Sequence, residues 1–215
     1  MTAALVSGLL REGYSFAAQP ISDLGIGPNA WIMNASLIST GLLAVIFALG
    51  FRRLLPRLPR KGLATGLLVT FGLCFAAAGI FPEPSPDGPV TIAGIAHFVL
   101  GFFIAMSALT VALFLIASGL RKQRGWDRHA SYPRVTAWLV VALILLTQLF
   151  FNRSSPLFKL GIGGLMEWTL FTTWSIWFRV TGLTLFRRGT RNTRNSSSAL
   201  SGTTAAVTPT KEGAP

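Results

Sequence analysis

Few side chains in this chain could do chemistry, and one of its two histidines, His97, stands near the head of a long apolar run. As a general base it would need an orienting carboxylate, for which Asp23 or Asp87 is available, and a nucleophile, for which Ser22 or water would serve. Ser22, Asp23, Asp87 and His97 therefore define a candidate intramembrane hydrolase or lipid-modifying enzyme. The set lacks a Gly-x-Ser-x-Gly nucleophile elbow. A catalytic zinc usually takes three protein ligands; with one histidine on this side, no metal and no cofactor is expected. A second set, Asn34, His97, Gln148 and Glu167, places polar side chains within otherwise apolar stretches and reads as a site for a polar ligand or lipid headgroup without catalysis. A third reading is a proton-coupled transporter with Glu167 and His97 as relays, although transport sites usually lie near the bilayer midplane. Each residue also has a plainer structural role open to it: helix packing for His97, pairing with Arg153 or Lys159 for Glu167, and a turn for Asp23 in Ser22-Asp23-Leu24-Gly25.

What must position these residues follows from composition. Of 215 residues, 51% are apolar and only 12% charged, about half the charge of an ordinary globular domain. So little charge cannot cover a water-facing surface. The net charge of +12 would suit nucleic acid if it were spread along one binding face. Instead the cations gather in three patches, Arg52 to Lys61, Arg121 to Arg134 and Arg187 to Arg194, each closing a long uncharged run. That is the pattern of cytoplasmic loops between membrane-crossing helices, with no nucleic acid partner. The single cysteine, Cys74, excludes an internal disulfide.

A membrane-crossing helix needs about 20 apolar residues at roughly 1.5 Å rise each. Five stretches meet this: Ala30 to Phe51, Leu63 to Phe81, Ile92 to Leu120, Val135 to Phe151 and Leu160 to Phe186. Basic loops alternate along the chain with loops that have few or no Lys and Arg, so the three basic segments and the C-terminus are expected in the cytoplasm. The ten uncharged residues MTAALVSGLL cover only half a bilayer. They read as the end of a first helix, truncated or lost to a start codon placed too late, and a complete version would have six spans. Residues 1–186 thus form an all-α multipass transmembrane bundle, and residues 187–215, rich in Ser, Thr, Asn and Gly, form a basic cytoplasmic tail expected to be disordered.

Counting back from Arg121 and Arg187 by one span puts His97 just beyond the outer hydrocarbon boundary and Glu167 at it. Asn34 and Gln148 fall at the same level on two other helices. His97, Gly101, Ala105, Ala108 and Ala112 form a small-residue stripe of the kind that lets helices approach closely in lipid, so His97 should face the bundle. The loops on this side add Ser22, Asp23, Glu83 and Asp87.

Several of these segments resemble a known family. Ser22-Asp23-Leu24-Gly25 after Tyr14, the exit Gly79-Ile80-Phe81-Pro82 into an acidic, Pro-rich loop, and Gly94 followed by His97 are similar to the prokaryotic membrane proteins grouped as domain-of-unknown-function family 998. More distantly they resemble the eukaryotic Frag1 and damage-regulated autophagy modulator group. The likeness covers roughly Gly13 to Phe186 and implies a full helix before the Tyr and Ser-Asp region. The family often carries a basic residue where this chain has Met166-Glu167. What the resemblance implies is topology, because no settled activity accompanies it.

The expectation is an integral protein of the cell membrane whose partners are membrane lipids, with another membrane protein as a second candidate. On a Cys74→Ala background, cysteines placed at Asp23, Asp87 and His97 should react with an impermeant thiol reagent from outside, and cysteines at Lys61 and Arg124 should not. Labelling of both groups from one side would overturn the topology.

Overall fold

The computed structural model describes residues 1–55, 57–81, 83, 88–123 and 125–205, without the side chains of Asp127 and of residues 191–205. The candidate Asp87 lies outside the described residues, as do Arg124 and residues 206–215. No strand occurs among the described residues. The helices are α1 (Thr2–Leu10), α2 (Ala30–Leu54), α3 (Lys61–Ile80), α4 (Ile92–Phe98), a π-helical turn (Val99–Ile104) that continues into α5 (Ala105–Leu120), α6 (Ser131–Phe151) and α7 (Gly163–Ala205). By internal contacts the chain divides into residues 1–178 and 179–215. The second unit is the continuation of α7; all packing described below lies in the first.

Each boundary has a local cause. α3 stops at Ile80, shortly before Pro82, which has no amide proton to continue the ladder. The Thr91 hydroxyl accepts the Gly94 amide at 3.0 Å and caps α4. α6 begins at Ser131, four residues before the uncharged run starts at Val135, because Arg134 in a first turn ends an apolar count without ending a helix. Four helical segments are long and apolar enough to cross a bilayer: Ala30–Leu54, Lys61–Ile80, Ile92–Leu120 and Ser131–Phe151. The expected fifth, 160–186, is helical from Gly163 but falls outside that group, since Glu167, Arg179 and its threonines and tryptophans lower its hydropathy. α1 is too short to cross.

The surface of the bundle identifies its solvent. Leu43 and Ile46 are 64% exposed and Leu145 is 60% exposed. Apolar faces of that extent are solvated by lipid. With lipid outside, burial of apolar area does little to hold the helices together, and close packing takes over. α2 and α3 cross with their backbones in contact. A Cβ on Gly72 would lie 2.6 Å from the Gly41 carbonyl oxygen, and one on Gly79 would lie 2.6 Å from that of Asn34. Against this pair α7 sets Trp174, whose ring centroid is 5.4 Å from Phe71 and 5.3 Å from Phe75. Trp174 and Trp177 are thus core residues, whereas Trp31 and Trp138 are exposed at 71% and 60% in the positions expected of membrane-interface tryptophans.

The two ends of the bundle differ. Gly119, at the end of α5, packs against Leu58 in the loop between α2 and α3, so the first two basic patches share one end. Asn34, Gly79 and His97 lie at the other. The glycine crossing gives a direct test. Gly41→Val or Gly72→Val should lower stability by about 1–3 kcal/mol through backbone overlap, seen as a lower melting temperature in detergent. Gly50→Ala, which meets open space, should leave it unchanged or slightly raised. Equal losses in all three would contradict the close crossing.

Candidate functional site

The end opposite the basic loops is roofed by residues 11–29, held by the few polar side chains available. Arg11 donates through Nη1 to the carbonyls of Asp23 and Ile26. The Tyr14 hydroxyl donates to the Pro20 carbonyl at 3.1 Å and accepts from the Trp168 indole at 3.3 Å. Burial, and after it the carboxylates of Glu167 and Asp23, push the Tyr14 hydroxyl up to about 12 against the Trp168 hydrogen bond, so it stays a donor at working pH. Asn34 Nδ2 donates to the Gly25 carbonyl at 3.2 Å, holding the short 3-10 turn Ser22–Gly25.

The roof is also joined to α7. The Leu165 amide donates to the Ala17 carbonyl at 3.0 Å, and Glu167 Oε2 accepts the Ile21 amide at 2.7 Å. A Cβ at Gly164 would lie 2.9 Å from the Phe16 carbonyl oxygen, so only glycine allows the loop so near. Glu167 is 6% exposed and bonds to this backbone, not to Arg153 or Lys159.

His97, at the end of α4, is buried against the exit of α3. Its Nδ1 lies 2.8 Å from the carbonyl oxygens of both Ala78 and Phe81. Carbonyls only accept, so Nδ1 carries a proton, and in the neutral ring Nε2 presents a lone pair. The π turn follows at once, and π insertions recur at functional sites; here its Gly101 presses on Ala78 while Phe98 and Phe102 stack at 5.6 Å.

Beneath the roof lies a cavity of about 440 Å³, within the usual range for small-molecule sites. Its polar lining includes Ser22, Glu83, His97, Thr147, Gln148 and Glu167, and its apolar wall is formed chiefly by Phe75, Phe98, Phe102, Phe151 and Phe171. Of the two candidate sets, His97, Gln148, Glu167 and Ser22 therefore meet at one cavity. Asn34 does not line it; it fixes the roof. Asp23 does not line it either: it is 5% exposed beside Arg11, and the orienting partners of His97 are backbone carbonyls. Ser22 and Glu83 both line the cavity. Among the described residues no cluster of His, Cys, Asp and Glu could hold a metal.

Two residues that the motifs did not single out are central. Glu83 follows directly on Pro82 in the acidic loop, and its Oε2 is buried without a hydrogen-bond partner. Thr147 is 2% exposed, and its hydroxyl is also unpartnered. Its only signal was its place beside Gln148, because threonine in a membrane helix ordinarily bonds its own helix backbone, as Thr136 does here at 2.9 Å.

The profile of the family described as protein of unknown function (DUF998) matches residues 1–184. The chain belongs to this family. The match takes in every lining residue of the cavity and the whole roof of this DUF998 chain. No curated protein and no solved structure matches it.

Burial raises the Glu83 carboxyl above the ordinary carboxylate range; the Ser22 hydrogen bond and nearby His97 oppose the rise and Asp23 adds to it. Asp23 shifts the same way, by burial against Arg11. A carboxyl with a raised folded-state pKa favours folding below the ordinary carboxylate range, and that contribution is lost as pH rises through the raised value. Glu83→Gln should therefore gain on the parent chain as pH rises from the ordinary carboxylate range, about 4, through the raised value. The gap in melting temperature should widen with pH, by roughly 2–4 °C per kcal/mol in a chain of this size. A gap that stays constant would show that Glu83 is not a desolvated carboxyl.

Proposed function

We propose that this DUF998 chain is a non-enzymatic multipass protein of the cell membrane that binds a lipid headgroup, or a small polar ligand of the same kind, at the outer leaflet. In this reading α7 supplies the fifth complete span, the C-terminus is cytoplasmic, and the cavity end faces out, in keeping with the confinement of the first two basic patches to the opposite end. The observation that carries the proposal is the two-sided cavity: polar groups under the roof, phenylalanines along one wall. An amphipathic ligand satisfies both.

The hydrolase reading has less support. His97 and Ser22 line the cavity, but backbone carbonyls orient the imidazole, and Asp23, the carboxylate that would have done so, does not line it. The relay reading would need a line of polar groups through the spans, and those lining the cavity gather at one end.

Native mass spectrometry of the purified chain should find a bound lipid, and His97→Ala should weaken its retention by about tenfold, the equivalent of one hydrogen bond to a charged or strongly polar group. Exposed positions of the same loop, Gly88 and Val90, should be labelled from outside when replaced by cysteine. Retention unchanged by His97→Ala for every lipid class tested would remove the proposal.

A further inference from the structure

The wall of the cavity is rich in acceptors and poor in cations. No lysine or arginine lines it, in a chain of net charge +12. Glu167 commits Oε2 to the Ile21 amide at 2.7 Å and makes no other hydrogen bond among the described residues. Glu83 has one oxygen, Oε2, that is buried and unpartnered, and so is the hydroxyl of Thr147, a residue only 2% exposed. His97, with its proton fixed on Nδ1 by two carbonyls, adds the lone pair of Nε2. A phosphate or carboxylate brings only acceptors and would be repelled. A quaternary ammonium could rest on the phenylalanine faces but has no N–H to give the orphaned oxygens, which cost free energy while unpaired.

Resting on the lipid-headgroup reading above, we propose that the cavity selects a primary ammonium, the amine of an ethanolamine-type phospholipid headgroup. Its three N–H donors reach the carboxylates of Glu83 and Glu167 and the remaining acceptors, His97 Nε2 or Thr147 Oγ1. The phosphate of the same headgroup then sits toward Gln148 and Asn152. Asn152 is suited to it: its Oδ1 is occupied by the Ser154 amide at 2.9 Å, which leaves the side-chain N–H groups to donate. The glycerol and the first carbons of the chains lie along Phe98, Phe102 and Phe151. The lipid, and not a free amine, is the source, because the phenylalanine wall needs an apolar partner.

The test uses the full chain, delipidated in detergent and offered equimolar phosphatidylethanolamine, phosphatidylcholine and phosphatidylglycerol of identical chains, with occupancy read by native mass spectrometry. Phosphatidylethanolamine should be retained about tenfold or more over the other two. Glu83→Gln should reduce that preference severalfold while the chain still binds lipid and melts cooperatively. Thr147→Val, which keeps the shape of the side chain, should reduce it by a smaller amount. Free phosphoethanolamine should not displace the bound lipid. Equal or stronger retention of phosphatidylcholine or phosphatidylglycerol would overturn the ammonium assignment and leave the headgroup reading standing. Displacement by free phosphoethanolamine would overturn the lipid as source. Failure of every lipid to bind would remove the headgroup reading itself.

Discussion

The orphaned backbone groups at helix ends constrain this structure more than any other feature. A helix leaves its last carbonyls and first amides unpaired, and beside hydrocarbon there is little water to take them up. α3 ends before Pro82 with carbonyls facing the bundle, and the imidazole of His97 donates to those of Ala78 and Phe81. α7 begins with free amides, and the roof loop supplies the Ala17 carbonyl to Leu165. The loop has an amide of its own to place, that of Ile21, and the Glu167 carboxylate accepts it. The polar side chains inside the apolar runs are therefore where the ladder of backbone hydrogen bonds is interrupted.

That origin explains why the same residues can also form a site. A carboxylate has two oxygens and an imidazole two nitrogens, and the backbone engages one of each. Glu167 is anchored through Oε2 and His97 through Nδ1, so the other atom of each is held in a fixed direction by a bond whose purpose is structural. Such preorganisation is what a binding site requires of its first layer of contacts. The roof adds a second layer: Asn34, Tyr14, Arg11 and Trp168 do not line the cavity, yet each fixes the loop that carries Ile21 and Ser22.

The spans were legible in the residue order because lipid permits little except uninterrupted apolar helix. That His97, Gln148 and Glu167 share one end of the bundle was legible too, since it follows from counting along a helix from a basic loop. Lateral direction was harder. The stripe through His97, Gly101 and Ala105 pointed inward correctly, with Ala105 fully buried, but a stripe says nothing about which helix faces it. Glu83 could not be ranked above Asp23 because both lie in loops, whose course is set by tertiary contacts and not by period. Asp23 does not line the cavity, and the orienting role expected of it falls to carbonyls, which every residue possesses and no motif reveals. Trp174 and Trp177 were hidden by their type: tryptophan favours membrane interfaces, and only the aromatic cluster of α2, α3 and α7 shows that here it fills the core.

The acidic character of the cavity follows from how charge is distributed between the two ends of the bundle. The first two basic patches lie at one end, and cations are few at the other. Arg11 is spent on the carbonyls of Asp23 and Ile26, and Arg153 and Lys159, in the loop after α6, do not line the cavity. Carboxylates at such an end have no internal counterion. In a surface loop water would screen them, but beneath a roof and against phenylalanines it cannot, so their charge must be met by a proton or by something that enters. The charge asymmetry between the two ends thus also bears on the ligand proposed for the cavity: hydrogen-bond donors and positive charge would gain there, and an anion would not.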